Sequence, residues 1–423
     1  MRTRTYLSSL CAVLAVVSAI PARAQTAEPP SAPPVEQLVQ EALSGAPSIA
    51  AMRARLAAAL DQVAPAGALP DPMVALSLQD MSFPKWTVGT DQMSMIGPEV
   101  QQDFPFPGKR AARRDAAGAE ATVRAAGLEQ LQREIAAQVR TLYARVYALD
   151  REQAYLAAAR EMLDMLSATA ASRYSVGETD QEAVLKAQLE VSQLAARVDD
   201  VAAERWALVA ALNRLLDRSG AAPLGQVSIL PTPSVPPRPW EDLAVKSSPE
   251  VAIRQASVAA AEKRVALARL DLRPDFTTGA ALGLRGGFDP AVTLRFGLVL
   301  PLWRKSKQVP MLHSAQADLD AERAELRDAE ASARSAAARL AAEWQRAVRQ
   351  VDLYQQAIVP QSSAAVDAAR AAYLVGRGDF LTVVDDFNRW LDARVELSRR
   401  EADRFATWAE LQALTGERAD KER

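Results

Sequence analysis

The sequence predicts a mainly α-helical fold with short β hairpins, built as two copies of one unit. The turn Tyr174-Ser175-Val176-Gly177 returns about 200 residues later as Tyr373-Leu374-Val375-Gly376, and similarity at a fixed distance indicates a repeated structural unit. Apolar residues recur every seven residues before the first turn, as in a coiled coil, and shorter segments alternate apolar and polar residues, as strands do. Each half is therefore predicted to contain helix, strand, strand, very long helix, turn and long helix.

Residues 1–24 have the pattern of a secretory signal peptide. Arg2 and Arg4 precede an apolar stretch at 10–20, and Ala22-Arg23-Ala24 is a small-x-small cleavage site. The single cysteine, Cys11, lies inside this segment, so we expect the exported chain to have no disulfide and no lipid anchor. A proline-rich leader, residues 25–34, follows.

Composition narrows the possible functions. The chain has 50 Lys and Arg against 52 Asp and Glu, a formal net charge of −2, which gives no support to nucleic-acid binding. After the signal segment, no run approaches the roughly 18 apolar residues of a membrane-spanning helix. One histidine and no further cysteine leave no pattern of catalytic or metal-ligating residues. We therefore expect no enzyme activity, no cofactor and no metal site.

The first repeat is predicted at residues 35–218. Its elements are a helix interrupted near Pro47, a β hairpin at about 73–104, a long helix at 109–172 and a return helix at 179–217. The long helix is predicted from a coiled-coil seam with seven-residue spacing: Leu128, Ile135, Leu142, Leu149, Leu156 and Leu163.

The second repeat, residues 240–416, follows a proline-rich connector at 219–239 and precedes a C-terminal tail at 417–423. Its elements are a helix, a hairpin at about 276–300, a long helix at 308–372 and a return helix at 380–415. Each strand of the hairpin has about 10 residues, close to what a tilted strand needs to cross a membrane. An amphipathic hairpin on a soluble core is the alternative. Two hairpins cannot close a hollow cylinder, so we expect a symmetric oligomer.

The sequence resembles the TolC family of bacterial outer-membrane channels, the exit ducts of tripartite efflux pumps and type I secretion systems. Five features carry the resemblance: the two Tyr-x-Val-Gly turns, the Pro-Asp before each strand pair, Gln102-Asp103-Phe104-Pro105-Phe106-Pro107-Gly108-Lys109-Arg110 at the first strand-to-helix junction, Val299-Leu300-Pro301-Leu302-Trp303 at the second, and the duplicated order of elements. The resemblance covers essentially all of the chain after the signal segment.

The resemblance implies a homotrimer in the bacterial outer membrane. Each protomer would give four strands to a twelve-stranded outer-membrane β-barrel and its long antiparallel coiled-coil helices to a periplasmic α-barrel. In that arrangement the Arg295 side chain faces the water-filled lumen. Five side chains of the same strand face lipid: Val292, Leu294, Phe296, Leu298 and Leu300.

The resemblance also places both glycine turns at the periplasmic tip, where the duct closes at rest and meets a periplasmic adaptor protein. The residues that inherit this contact by position are Val176, Gly177, Glu178, Val375, Gly376 and Arg377. Glycine permits a sharp turn between antiparallel helices. A helix-ending glycine without a partner is the alternative interpretation.

Gate and selectivity residues are expected beside these turns. Asp385 matches a family aspartate beyond the second glycine, whereas Thr382 occupies the other position that is usually acidic. Nearby acidic residues could supply the missing charge, which gives the predicted set Asp385, Asp386, Asp379, Thr382, Glu182 and Asp180. Crowded carboxylates would favour cations at the mouth. Alternatively, they reflect the preference of acidic residues for the first turn of a helix.

Within the family, the segment Phe104-Pro105-Phe106-Pro107-Gly108-Lys109 looks most similar to CzcC/CusC-like members, which partner heavy-metal efflux pumps. We therefore expect an exit channel that works with a periplasmic adaptor and an inner-membrane RND-type pump, and conducts heavy-metal cations or small toxic compounds. A multidrug efflux or type I secretion duct is the alternative within the family. A soluble periplasmic coiled-coil scaffold is the alternative from another class. Methionines in the first hairpin could bind soft metal ions, although packing is their commoner role.

Overall fold

The computed structural model describes residues 31–82, 86–235 and 239–416. The predicted signal peptide, residues 25–30 of the leader and the tail at 417–423 lie outside the described residues. The first repeat has seven elements: helices α1 (Val35–Gly45), α2 (Pro47–Asp61) and α3 (Val63–Ala66), strands β1 (Met73–Gln79) and β2 (Met95–Phe104), and helices α4 (Lys109–Ser175) and α5 (Gln181–Leu215).

The second repeat has the same order of elements. It consists of helices α6 (Trp240–Ser247) and α7 (Pro249–Leu270), strands β3 (Asp275–Arg285) and β4 (Phe288–Val299), helices α8 (Gln308–Leu353) and α9 (Val359–Leu374), and the return helix α10 (Phe380–Thr415). A proline stands in the first turn of both α2 and α7, where its missing N–H costs no hydrogen bond.

The four strands form one antiparallel sheet in the order β1-β2-β3-β4. The two repeats meet at its centre, where Phe104 of β2 pairs with Phe276 of β3. The hairpin between β3 and β4 is tighter than the sequence predicted, because Gly286 at φ 66° and Gly287 alone separate the strands. β4 accordingly begins at Phe288 and includes Pro290, which an edge strand tolerates.

The long helices pack as the seven-residue spacing predicted. Leu149, Leu156 and Leu163 of α4 are buried in one cluster with residues of both α5 and α10. Helix α4 therefore lies between the two return helices. At 1.5 Å per residue its 67 residues span about 100 Å, so the apolar core is a narrow seam along the helices.

The second long helix contains one π-helical turn, which the sequence did not predict. A π-helical turn at Tyr354–Ile358 separates α8 from α9, and Pro360 follows it. Proline cannot donate to the carbonyl four residues earlier, and its ring crowds that carbonyl. A π turn widens the helix locally and accommodates this loss.

No helix among the described residues is both long enough and apolar enough to cross a membrane.

Candidate functional site

One face of the sheet is apolar and exposed. In an antiparallel sheet, directly paired residues point to the same side, so the pairs Leu294–Ala280 and Leu78–Ile96 lie on one face. In the single chain, Phe296 is 81% exposed and Val292 71%. The other large apolar side chains exposed on this face are Val74, Leu76, Leu78, Val100, Phe104, Phe276, Leu282, Leu284, Leu294 and Leu298. Leu300 is also exposed and lies one residue beyond the end of β4.

The opposite face is polar and rich in small residues. Arg295 lies on it and forms an ion pair with Glu99 of β2. The pair reaches across β3 because Gly279, which is paired with Arg295, has no side chain in between. The structure thus places Arg295 on the face opposite to the apolar side chains of β4.

At the junction between the repeats, the Pro-Asp motif before β3 contacts the Pro-Gly-Lys motif at the start of α4. Lys109, at the start of α4, is 3% exposed, and its Nζ donates to Asp275 Oδ1 at 2.9 Å and to the Arg273 carbonyl at 3.1 Å. The same Asp275 oxygen accepts the Phe106 N–H at 2.7 Å. The aspartate before β3 therefore anchors the turn that connects β2 to α4.

Both glycine turns have the same hydrogen bonds. At the first, the Glu178 N–H donates to the Arg173 carbonyl at 2.9 Å and the Gly177 N–H to that of Tyr174 at 3.1 Å. The second turn repeats these bonds between Arg377 and Ala372 and between Gly376 and Tyr373. Gly177 and Gly376 both have φ 77°, so each turn is a Schellman cap in the left-handed region that favours glycine.

The two turns lie side by side at one end of the molecule. Arg173 joins them, because its Nη2 donates to the Leu374 carbonyl at 3.1 Å and its guanidinium lies 4.7 Å from the centre of the Tyr373 ring. Tyr373 is buried, whereas its counterpart Tyr174 is 47% exposed. Burial raises the pKa of Tyr373. Val176 and Val375 are 67% and 70% exposed, and both glycines, Glu178 and Arg377 are also exposed.

Half of the acidic residues near this end form ion pairs with basic side chains. Asp385 is exposed and forms an ion pair with Arg389 at 2.8 Å. The less exposed Asp386 lies 3.6 Å from the same guanidinium. Glu182 is exposed and accepts from Lys186, and this hydrogen bond lowers its pKa. Sequence reasoning overlooked both bases.

The other three predicted acidic residues at this end, Asp180, Asp379 and Glu178, have no basic partner in the part of the chain that the structure describes. Asp180 and Asp379 precede α5 and α10 as N-cap residues, without a side-chain capping bond. Glu178 and Thr382 are exposed. The single chain therefore brings the predicted gate residues to one end, but it neutralises Asp385, Asp386 and Glu182 locally.

A buried ionic network was not predicted from the sequence. Glu152 of α4 is 1% exposed and accepts from Arg197 of α5 at 2.9 Å and from Arg399 of α10 at 3.0 Å. Asp150 is also buried, and its carboxylate accepts from Arg205 and from the Val227 N–H. These bonds tie both return helices and the connector to α4.

Two methionines of the first hairpin lie far apart. Met73 and Met95 lie on the polar face but at opposite ends of β1 and its partner, since Met73 pairs with Gln101 and Met95 with Gln79. Six residues of strand separate them, roughly 20 Å. Among the described residues, no group of three His, Cys, Asp or Glu side chains could hold a metal ion.

Comparison with known proteins agrees with this geometry. The family model described as outer membrane efflux protein matches residues 38–218 and 240–417. The fold is similar to that of the outer membrane protein VceC from Vibrio cholerae, at 20% identity and a TM-score of 0.75, over 90% of this chain and 96% of that chain. It is also similar to the outer-membrane channel OprN, at 19% identity and a TM-score of 0.77, over 90% of this chain and 89% of that chain. The CusC structure matches at 14% identity and a TM-score of 0.76, over 90% of this chain and 91% of that chain.

Comparison with curated protein sequences found no match. The structural matches confirm the predicted fold class, in which long helices continue from a small β part. The two segments of the family match coincide with the two structural repeats. The chain therefore belongs to the outer membrane efflux protein family and is a transport channel located in the outer membrane.

Proposed function

We propose that three copies of this chain form the exit duct of a tripartite efflux system, through which cargo passes passively from the periplasm to the outside. The sheet with one apolar and one polar face carries this proposal. Such a sheet suits lipid on one side and water on the other. Its outer strands β1 and β4 have free edges within the single chain, and pairing with further copies would satisfy their backbone groups.

The end of the molecule with the two glycine turns is the proposed contact for a periplasmic adaptor protein. Val176 and Val375 project from neighbouring turns and are mostly exposed. The Schellman bonds already satisfy two carbonyls at the end of each helix, so we infer that a partner recognises mainly the side chains and the rigid shape of the turns. We infer that the adaptor connects this tip to an inner-membrane pump of the RND type.

The proposed cargo is heavy-metal cations or small toxic compounds. The metal cargo is supported by the segment at the first strand-to-helix junction, which resembles that of CzcC/CusC-like members. The fold is similar to that of CusC, but equally to that of OprN. A strain that lacks the protein should become sensitive to copper, silver, zinc, cobalt or cadmium. Sensitivity to drugs alone would favour the multidrug alternative. Unchanged sensitivity with an intact pump would contradict the proposed function.

The soluble scaffold is the competing proposal from another class. It predicts that the protein stays soluble after cell breakage without detergent. The duct predicts that the protein sediments with membranes and elutes as a trimer after extraction with detergent. The exposed apolar face of the sheet favours the duct, because burying it only against a soluble core would need a covering layer that the described residues do not provide.

Replacing Asp385 by Ala should increase single-channel conductance in a planar bilayer and weaken block by multivalent cations. In a trimer, three Asp385 carboxylates at the tip would attract such cations, and as members of a closing ring their side chains would occupy the mouth of the duct. Asp385→Asn should act in the same way, since it removes the charge but keeps the size. Arg389→Ala should strengthen the block, because it leaves the carboxylate without its base. Unchanged conductance in both aspartate variants would remove Asp385 from the gate.

A further inference from the structure

The strand pairing between the two repeats of one chain indicates how the strands of two neighbouring chains would pair. Inside the chain, β2 pairs with β3, the last strand of one repeat with the first strand of the other. Between copies, the corresponding strands are β4 and β1, which are the free edges of the sheet. If the repeats are equivalent, β4 of one protomer should meet β1 of the next as β2 meets β3.

The sequence repeat fixes which residues correspond. Pro105 and Pro301, which follow β2 and β4, stand 196 positions apart, and Pro70 and Pro274, which precede β1 and β3, stand 204 apart. Applied to the observed pair Val100–Ala280, these shifts give Phe296 opposite Leu76. Applied to Glu99–Ala281, they give Arg295 opposite Ser77.

The hydrogen-bonded corner also has a counterpart. By the same shifts, Lys109 corresponds to Lys305, Phe106 to Leu302 and Asp275 to Asp71. The match is in the side chains rather than in the backbone, because Lys109 begins α4 whereas Lys305 lies in the turn before α8, and the Leu302 N–H donates to the Leu300 carbonyl at 2.9 Å. Lys109 is buried against Asp275, whereas Lys305 and Asp71 are both exposed and have no ion pair among the residues that the structure describes. Within one chain, the second corner is therefore incomplete.

We propose that adjacent protomers pair β4 with β1 in the register that places Phe296 opposite Leu76, and that Asp71 of one protomer accepts from the Lys305 Nζ of its neighbour. This inference rests on the proposed trimer and adds its contacts. The second copy completes a corner that one chain leaves open.

Two observations that did not enter the mapping support this register. First, a shift of one residue would place apolar side chains beside polar ones, but the inferred pairs join Phe296 to Leu76 on the apolar face and Arg295 to Ser77 on the polar face. Second, the inferred corner buries exposed apolar surface. Phe106 stacks on Phe276 and lies against Arg273, and the corresponding Leu302, 73% exposed, would meet Pro72 and the half-exposed Leu69.

Cysteine cross-linking tests the register. Leu76→Cys combined with Phe296→Cys should form disulfides between protomers under mild oxidation, seen as covalent dimers and trimers on non-reducing gels. Directly opposite residues have Cα atoms about 4.5–5.5 Å apart, which a disulfide can bridge. The matched control, Leu76→Cys with Leu294→Cys, keeps the same face but is offset by two residues, at roughly 7–8 Å. It should cross-link several-fold more slowly.

A charge exchange tests the corner. Asp71→Lys and Lys305→Asp should each lower the temperature at which the detergent-solubilised trimer dissociates. The double variant Asp71→Lys/Lys305→Asp should recover most of that loss, because the opposite charges are restored in exchanged positions. Two independent losses that simply add would overturn the proposed contact.

The outcomes separate the register from the proposed function. An intact, conducting trimer in which the offset cysteine pair reacts faster would overturn the register and leave the duct in place. The absence of any trimer in detergent, with the unmodified chain as the reference, would overturn the proposed function itself. The unmodified chain also controls for Cys11, its one native cysteine.

Discussion

Replacing Glu152 by Gln is expected to lower the free energy of unfolding by about 2–4 kcal/mol. The Glu152 carboxylate is buried and accepts from two guanidinium groups that belong to different return helices. The amide removes the charge and turns an N–H group towards one of these donors. The Arg197 and Arg399 side chains are 33% and 52% exposed and can regain water, which keeps the cost below that of a fully buried orphaned charge.

Thermal unfolding of the detergent-solubilised protein, followed by circular dichroism, measures this effect. Glu161→Gln is the matched control, because Glu161 lies on the same helix and is exposed. Its effect should stay within about 0.5 kcal/mol. Equal unfolding temperatures for the two variants would show that the network contributes no net stability.

The fold was predictable because its two main signals are periodic and repeated. Seven-residue spacing of leucines in α4 predicted a helix far longer than a compact domain holds, and Leu149, Leu156 and Leu163 are indeed buried. Alternation in β4 predicted a strand with one apolar face. Duplication allowed the weaker pattern of the first hairpin to be interpreted by analogy with the clearer second one.

The buried network could have been found from the same spacing. Glu152 stands three residues after Leu149 and four before Leu156, so it occupies a seam position in the four-three pattern. An acidic residue there must be paired. The partners could not have been predicted, since Arg197 and Arg399 come from other helices and the sequence does not fix which arginines face α4.

Sequence reasoning located the tip but not its electrostatics. The duplicated motif identified both glycine turns, and the structure gives them the same hydrogen bonds. Counting acidic residues overstated the negative charge, because Arg389 lies one helical turn beyond Asp385 and pairs with it. Neighbours at four-residue spacing interact on a helix, so this pair could have been recognised from the sequence.

Replacing Leu294 by Arg should nearly abolish insertion into the outer membrane, whereas Thr293→Arg should have little effect. Leu294 lies near the middle of β4 on the apolar face and is 65% exposed in the single chain. A lipid-facing arginine near the bilayer midplane costs about 2–4 kcal/mol, and a trimer would incur this cost three times. Thr293 points to the polar face, where an arginine meets water.

Leu294→Arg and Thr293→Arg introduce the same side chain at adjacent positions, so they differ mainly in the face of the sheet to which the arginine points. The measurement is the amount of protein that remains in washed membranes, compared with the total amount in the cell. An arginine at 293 adds to the charge of Arg295 on the same face, but Glu99 lies on that face too, directly across Ala281, and offsets part of the repulsion. A sheet that packs on a soluble core would lose stability with Leu294→Arg without any change in membrane attachment. Equal membrane levels for both variants would therefore contradict contact between this face and lipid.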